Sequence, residues 1–247
     1  MRIALLSDIH GNLVSLETVI ADVKRAAVDD IIFLGDIATL GPQPKEVVDL
    51  IRDIGCVNIR GNHEDYIFDV DLIRRDKNAP PWFDATIQWS ADQLNQADMD
   101  FLDTFKSWHK VMLDEKNSLL CFHGSPRSNN ELILAETPAV ELVKMFDGFD
   151  SSVMACGHAH IQMMRRLDDV VVLNAGSVGE PLEHMPFTGE PHIQPWAEYA
   201  ILEWEKGDLS ITLRQVPINQ KHLEEVSKKS KNPFNWFENW VSVGRYI

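Results

Sequence analysis

The chain has 247 residues, of which 45% are hydrophobic and 25% are charged, and its formal net charge is −15. This length is enough for a large α/β domain with a substantial core, so we expect a single domain over residues 1–247. The ordinary composition argues against extended disorder. The acidic excess would repel a phosphate polymer, which disfavours nucleic acid as a partner.

The first residues and the cysteines indicate the compartment. "MRIALLSDIHG" has one Arg and only a four-residue apolar run before Ser7, which is too short for a secretory signal. No apolar run long enough to cross a membrane occurs anywhere. Cys56, Cys121 and Cys156 are odd in number, lack CxxC spacing and lie in or beside apolar stretches. We therefore predict buried free thiols in a cytoplasmic protein without a membrane partner.

The first quarter of the chain alternates between two patterns. Short apolar runs that end in polar residues predict strands at 2–8, 29–36 and 56–62. Apolar residues at helical spacing predict helices at 13–26 and 44–54. Strands that alternate with helices in this way indicate parallel βαβ units.

The middle of the chain departs from this alternation. Residues 64–107 are first charged and broken by proline and then helical in pattern, so we expect a mainly helical insertion over the strand ends. The strand pattern returns at 118–125, 151–160, 170–177 and 197–216, the last with a hairpin turn at Lys206-Gly207-Asp208. These later strands predict a second sheet.

The end of the chain carries two further predictions. The Lys-rich segment 221–231 is interrupted by two Glu, which favours a solvated helix face over a nucleic-acid contact. Residues 231–247, "KNPFNWFENWVSVGRYI", are rich in Trp and Phe. They predict either a segment docked on the core or a surface for self-association.

Several predicted strands end in residues that can bind metal ions. These endings are Asp8-Ile9-His10, Gly35-Asp36, Gly61-Asn62-His63-Glu64, His123-Gly124 and Gly157-His158-Ala159-His160. In an open α/β sheet, ligands bind outside the carboxyl ends of the strands, so these side chains can converge although they are far apart in sequence. Gly61 is expected to permit a tight turn.

Taken singly, these residues have ordinary explanations. Asp8 and Asp36 could be helix N-caps, His123 could be a core histidine, and "GHAH" could be a glycine-rich loop with exposed imidazoles. Together they offer two Asp, one Asn and four His, a donor set that suits Mn, Fe, Zn or a similar first-row divalent ion. Seven ligands are too many for one catalytic ion with an open position, but they suffice for two ions that share a carboxylate.

The ordered motifs "DIHG", "GD", "GNHE", "HGS" and "GHAH" resemble those of the calcineurin-like metallophosphoesterase superfamily, and the resemblance covers nearly the whole chain. The stretches "SDIHGNLVSLETVI", "GPQPKEVVDLI", "HGSPR" and "NAGSVGEP" look like its compact prokaryotic, phosphodiesterase-like branch. The resemblance implies a four-layer α/β/β/α sandwich of two mixed sheets flanked by helices. It also implies a dimetal site at the carboxyl ends of the strands.

The resemblance further implies a role for each metal ligand. One ion would be held by Asp8, His10 and His160 and the other by Asn62, His123 and His158, with Asp36 bridging them. Manganese is the first expectation for both ions, and iron, zinc, nickel and cobalt are alternatives.

The implied reaction is hydrolysis of a phosphate ester. A hydroxide that bridges the two ions would attack phosphorus in line, while the ions stabilise the charge on the phosphoryl oxygens. No covalent enzyme intermediate is needed. The departing alkoxide needs a proton, and His63, beside the ligand Asn62, is the expected general acid.

One motif departs from the pattern of the superfamily's Ser/Thr phosphatases. Those enzymes carry "GDxxDRG", whose later Asp orients the catalytic His and whose Arg grips phosphate. Here the stretch is "GDIATLG", with Thr39 and Leu40 at those two positions. The departure weakens a protein-phosphatase interpretation and makes Glu64 a candidate for orienting His63.

A few residues are candidates for contacts with the substrate. Arg127 in "HGSPR" could replace the lost phosphate contact, or it could form a structural salt bridge. His184 and His192 follow the "NAGSVG" loop and could line the substrate pocket, although solvated loop histidines are the simpler explanation. His109 and His222 belong to no motif.

Three functions are compatible with these residues. The leading expectation is a metal-dependent phosphohydrolase that acts on a small phosphodiester, such as a nucleotide or cyclic nucleotide. The second is a protein or small-molecule phosphomonoesterase. The third is a binding or assembly module that keeps the fold without catalysis, although His63 and every expected ligand are present.

Overall fold

The computed structural model describes residues 1–75, 82–184 and 193–233, and two five-stranded sheets form its centre. The first sheet consists of β1 (Arg2–Leu6), β2 (Asp30–Phe33), β3 (Val57–Asn58), β9 (Trp196–Glu205) and β10 (Asp208–Pro217). Its strand order is β10-β9-β1-β2-β3. β1, β2 and β3 run parallel, whereas β9 is antiparallel to both of its neighbours.

The second sheet is also mixed. It consists of β4 (Trp108–Met112), β5 (Ser118–Phe122), β6 (Val153–Cys156), β7 (Met163–Leu167) and β8 (Val170–Asn174). Its strand order is β4-β5-β6-β8-β7. The three central strands β5, β6 and β8 are parallel, and the edge strands β4 and β7 are antiparallel to their neighbours.

Helices connect and cover these strands. In the described part of the chain they are α1 (Leu13–Ala26), α2 (Pro44–Ile54), α3 (Asn62–Phe68), α4 (Asp71–Arg75), α5 (Phe83–Asp92), α6 (Gln96–Asp103), α7 (Ala139–Met145) and α8 (Gln220–Lys229). α1 begins where the Asn12 side chain accepts a hydrogen bond from the Ser15 N–H, at 3.1 Å. It ends at Ala26, and the capping residue that follows, Ala27, is left-handed with φ 50°.

The alternation of side chains along the strands divides the core into layers. On β1, Ile3 and Leu5 face the second sheet, in a cluster that includes Leu119 of β5. Ala4 and Leu6 point the other way and pack in a cluster with α1 and α2. The outer face of β5 packs in a third cluster with α7. This layering confirms the predicted α/β/β/α sandwich of two mixed sheets.

Every predicted strand is present, but most end earlier than predicted. β2 stops at Phe33 and β6 at Cys156, because the residues that follow leave the extended conformation. Asp36 and His158, for example, have φ of 56° and 65°. The predicted hairpin turn joins β9 to β10.

The sequence patterns missed the edge strands β4 and β7 and the short helix α7. Edge strands need no continuous apolar run, and the side chains of Trp108 and Met112 on β4 are indeed exposed. Within the predicted insertion at 64–107, the described residues form most of α3 and all of α4, α5 and α6. The boundaries of that insertion and the single-domain organisation stay predictions.

Other predictions concern membranes, thiols and the C-terminal residues. No helix within the described ranges is long and apolar enough to cross a membrane. Cys121 and Cys156 are buried free thiols as predicted, whereas free Cys56 is only half-buried. The helix predicted at 221–231 is α8. Most of the aromatic segment, at 234–247, lies outside the described residues.

Candidate metal centre

The predicted ligands lie where β1, β2, β5 and β6 end and where α3 begins. Backbone hydrogen bonds tie the first two loops together, including Asp8 N–H to the Gly35 carbonyl at 3.0 Å and His10 N–H to the Asp36 carbonyl at 3.0 Å. Five of the seven candidates have a left-handed backbone, namely Asp8, His10, Asp36, His158 and His160. Residues other than glycine rarely adopt this strained conformation, and those that do are concentrated at functional sites.

The first group of candidate ligands comes from the ends of β1 and β6. His10 Nε2 and His160 Nε2 are only 3.0 Å apart. Asp8 Oδ1 lies 3.3 Å from His160 Nε2 and 3.8 Å from His10 Nε2. These three side chains could therefore hold one metal ion.

The second group comes from β2, α3, β5 and β6. His123 Nε2 lies 3.0 Å from Asn62 Oδ1 and 3.1 Å from Asp36 Oδ2. His158 completes the group, because its ligand atom lies within 4.8 Å of those of Asp36 and His123. Asp36 Oδ2 is also 3.9 Å from His10 Nε2, so Asp36 lies between the two groups.

Backbone carbonyls orient two of the imidazoles. His123 Nδ1 donates to the Leu34 carbonyl at 2.7 Å, and His160 Nδ1 donates to the Glu180 carbonyl at 2.9 Å. A carbonyl can only accept, so Nδ1 carries the proton and Nε2 points into the cluster. This is how ligating histidines are held in metal sites.

Each carboxylate uses one oxygen for the backbone and presents the other to the cluster. Asp8 Oδ2 accepts the His158 N–H at 2.9 Å, while Asp8 Oδ1 is buried and has no hydrogen-bond partner. Asp36 Oδ1 accepts the His63 N–H at 2.9 Å, which leaves Oδ2 for the cluster. Asp8 Oδ1 and Asp36 Oδ2 thus face imidazole Nε2 atoms at 3.3 Å and 3.1 Å, and this set of buried oxygen and nitrogen donors fits a cation.

The fold is that of a known family. Residues 1–205 match the calcineurin-like phosphoesterase superfamily domain. The chain belongs to this family.

Similar proteins align with nearly the whole chain. A solved metallophosphoesterase from Sphaerobacter thermophilus is 27% identical with a TM-score of 0.74, over 97% of this chain and 98% of that one. A solved hypothetical protein from Pyrococcus horikoshii OT3, 20% identical over 96% of both chains, shares the fold with a TM-score of 0.81. An uncharacterised protein from Methanocaldococcus jannaschii is 25% identical over 265 aligned positions, which cover 98% of each chain.

Glycine is required at two points where the backbone comes very close to the loops that carry Asp36 and Asp8. A Cβ on Gly61 would lie 2.0 Å from Asp36 Oδ1, and one on Gly157 would lie 1.8 Å from Ser7 Oγ. Gly61 has an ordinary φ of −87° at the start of α3. It is therefore needed for close approach to Asp36, which corrects the expectation of a tight turn.

The carboxylates and imidazoles shift one another's pKa. Burial would lower the pKa of His123, but Asp36 raises it to about 10. Burial would also lower the pKa of His160, but Asp8 raises it to about 9. Burial would raise the pKa of Asp8, but His160 lowers it to about 2. Burial lowers the pKa of His158 to about 4.

Metal binding is expected to release about two protons per chain at neutral pH. His123 and His160, with pKa values raised to about 10 and about 9, both hold a second proton there. Because each Nδ1 donates to a carbonyl, an ion must displace the proton on Nε2. Metal affinity should therefore rise with pH until both groups are deprotonated. Calorimetric titration with Zn²⁺ in buffers of different ionisation enthalpy measures the release, and a value near zero would contradict these protonation states.

His63 lies in the first turn of α3, beside both groups of ligands. Its side chain is almost fully buried, and its Nε2 is 3.9 Å from Asp36 Oδ2. The rings of Tyr66 and Phe83 flank the imidazole, with centroids 5.2 Å and 5.4 Å away. Its Nδ1 is 2.7 Å from Thr39 Oγ1.

Glu64 does not orient His63, contrary to the expectation from the sequence. Its buried carboxylate accepts the N–H groups of Gly61, Asp36 and Ile37 at 2.8, 2.9 and 2.8 Å. Glu64 thus fixes the loop after β2 onto the start of α3. The partner of the His63 ring is the Thr39 hydroxyl. Thr39 stands where the Ser/Thr phosphatases of the superfamily carry an Asp, so the motif alone indicates the loss of a carboxylate but not this hydroxyl contact.

The substitution Glu64→Gln is expected to lower the free energy of unfolding by about 2–4 kcal/mol, because an amide group would turn its NH₂ toward at least one of these buried N–H donors. Burial raises the pKa of Glu64 to about 7, so urea denaturation should be measured above that pH, where the carboxylate is ionised. Glu17→Gln, on the exposed face of α1, is the matched control. Equal stability of the two variants would show that Glu64 does not anchor the loop.

The candidate substrate contacts lie outside the ligand groups. Arg127 donates to the Glu131 carboxylate and, at 2.9 Å, to the Lys144 carbonyl, as expected for the salt-bridge alternative. His184 lines a cavity of about 260 Å³ whose wall includes Ile161, the residue after His160. A phosphate contact by Arg127 and a substrate contact by His184 both stay predictions.

His192 lies outside the described residues. His109 is half-buried on β4, and His222 lies on α8.

Proposed function

We propose that this metallophosphoesterase hydrolyses small phosphodiesters, such as nucleotides or cyclic nucleotides, with two divalent transition-metal ions. The observation that supports this most strongly is the position of Asp36 between the two ligand groups, with Oδ2 3.1 Å from His123 Nε2 and 3.9 Å from His10 Nε2, beside His63. The proposed substrate is a small, water-soluble ester of the cytoplasm.

The donor atoms fit the proposed ions. Asp8, His10 and His160 would hold one ion, Asn62, His123 and His158 the other, and Asp36 would contact both. Nitrogen and oxygen donors without thiolate suit manganese first, with iron, zinc, nickel and cobalt as alternatives. When bound, the ions would activate a water molecule as nucleophile and neutralise charge on the phosphoryl oxygens.

His63 is the proposed general acid. Its Nε2 faces the shared carboxylate of Asp36, within reach of a leaving group bound at the centre. Burial lowers the pKa of His63, which makes its protonated form a stronger acid. The burial also excludes bulk water from the proton that is transferred.

Two features favour a small diester over a phosphoprotein. Thr39 and Leu40 replace the Asp and Arg with which protein phosphatases orient histidine and grip phosphate. The aromatic rings of Tyr66 and Phe83 beside His63 offer apolar surface to the organic group of an ester.

The test compares two esters with one protein. Protein stripped of metal and reloaded with Mn²⁺ is assayed on bis(para-nitrophenyl) phosphate and on para-nitrophenyl phosphate. We expect faster hydrolysis of the diester, loss of activity with chelator and recovery with Mn²⁺. Preference for the monoester would favour the phosphomonoesterase alternative. Failure to hydrolyse either ester would refute the proposal and favour a binding module.

A further inference from the structure

One buried hydroxyl joins a candidate ligand to the candidate acid. Thr39, in the loop after β2, is 0% exposed. Its Oγ1 lies 2.7 Å from His63 Nδ1 and 3.2 Å from His10 Nδ1. The two imidazole rings meet edge to face, with centroids 4.7 Å apart. The Thr39 hydroxyl is therefore a hydrogen-bond partner of the Nδ1 atom of both rings.

The chemistry of a hydroxyl suits this double contact. A hydroxyl has one proton to donate and two acceptor positions. If His10 binds an ion through Nε2, its Nδ1 carries a proton and donates to Thr39. The O–H of Thr39 and its second acceptor position then remain for His63, so the bond can persist whether His63 Nδ1 carries a proton or accepts one.

The backbone holds this hydroxyl in place. The Gly41 N–H donates to the Thr39 carbonyl at 2.7 Å and to the His10 carbonyl at 2.9 Å. A Cβ on Gly41 would lie 2.0 Å from the His10 oxygen, so the loop packs directly on the His10 backbone. The position of Thr39 relative to His10 is therefore set by the main chain as well as by the side-chain contact.

An uncharged group is also favourable at this position. Asp8 and Asp36 are both buried carboxylates next to the imidazoles. With Glu64 also buried beside Asp36, a further carboxylate would add repulsion in a region of low dielectric constant, whereas a hydroxyl adds none.

We propose that Thr39 is a positioning residue that joins His10 and His63 into one hydrogen-bonded unit and thereby directs His63 Nε2 at the leaving group. This inference rests on the proposed function. The uncharged residue Thr39 thereby takes the role for which Glu64 was a candidate.

The kinetic test uses three variants and two phosphodiesters with different leaving groups. Thr39→Val removes the hydroxyl with little change in volume, and Thr39→Ser keeps it. Thr137→Val is the control, because the Thr137 hydroxyl is also buried and accepts the Leu134 N–H at 2.9 Å. One ester releases para-nitrophenolate, which needs little protonation, and the other releases an alkoxide, which needs a proton.

Thr39→Val is expected to lower kcat for the alkyl ester by about 10- to 100-fold, with a smaller effect on the para-nitrophenyl ester and little change in KM. Thr39→Ser should restore most of the rate, and Thr137→Val should match wild type. In a His63→Ala background, Thr39→Val should cost nothing further. An equal loss on both esters, or a further loss in that background, would overturn the inference.

A spectroscopic measurement keeps the inference testable if wild type hydrolyses neither ester. That result would refute the proposed function but not the hydrogen bonds. In Zn²⁺-loaded protein, Thr39→Val should shift the side-chain ¹⁵N resonances of His63 Nδ1 and His10 Nδ1, and Thr39→Ser should leave them near their wild-type values. Unshifted resonances in Thr39→Val would overturn the role of Thr39.

Discussion

Replacing Asp36 with asparagine is expected to lower phosphodiester hydrolysis by about a thousandfold or more. Asp36 Oδ1 accepts the His63 N–H, so an asparagine would place its oxygen there and turn its NH₂ toward His123. An NH₂ group cannot bind a cation, and the negative charge shared between the two ligand groups is lost. The measurements are kcat/KM on a diester and metal bound per chain.

Asp53→Asn on the exposed surface of α2 is the matched control and should keep wild-type activity and metal content. The fold of Asp36→Asn should survive, because Asp36 N–H still donates to Glu64. Circular dichroism and urea denaturation check this. Near wild-type turnover in Asp36→Asn would exclude a shared carboxylate from the mechanism.

Replacing His63 with alanine is expected to lower kcat for an alkyl phosphodiester by about 10²- to 10⁴-fold while leaving metal content unchanged. The His63 side chain is not one of the seven proposed ligands, and the His63 N–H to Asp36 survives in alanine. The loss should shrink for an ester with a good leaving group, because less protonation is then required.

His109→Ala, which removes a half-buried imidazole from β4, is the corresponding control for His63. Equal rates for wild type and His63→Ala on both esters would show that His63 transfers no proton and that the start of α3 only positions Asn62. Loss of metal in His63→Ala would instead assign His63 to the metal site.

The convergence of the seven candidate ligands could be predicted from the sequence because of where they lie on strands. Asp8 and Asp36 follow the parallel strands β1 and β2 of the first sheet, and His123 and His158 follow the parallel strands β5 and β6 of the second, so each pair lies at one edge of its own sheet. The sandwich that the family resemblance implies brings these two edges together. The third predicted strand, 56–62, extends too far, because β3 ends at Asn58 and Asn62 already belongs to α3.

Hydrogen-bond partners could not be predicted in the same way. Thr39 and Glu64 are both polar residues next to the motifs, and only the packing of the loop after β2 on α3 decides which one meets His63. The spacing of residues in the sequence does not show how this loop packs on the helix. The left-handed backbone at Asp8 and His10, which shortens the strands, likewise depends on contacts between loops.

The edge strands escaped prediction for a related reason. β4 and β7 are held by pairing with one neighbour, so their side chains carry a weak apolar signal. Arg127 is bound to Glu131, as in the salt-bridge alternative, whereas the sequence alone left this contact and a phosphate contact both open.

The most direct test of this account is a titration of metal-free protein with Mn²⁺, in which bound ions and phosphodiester hydrolysis are measured on the same samples. We predict two bound ions per chain at saturation and a rate of hydrolysis that reaches its maximum only when both are bound. Hydrolysis that persists without metal, or full activity with a single bound ion, would contradict a dinuclear centre at Asp36.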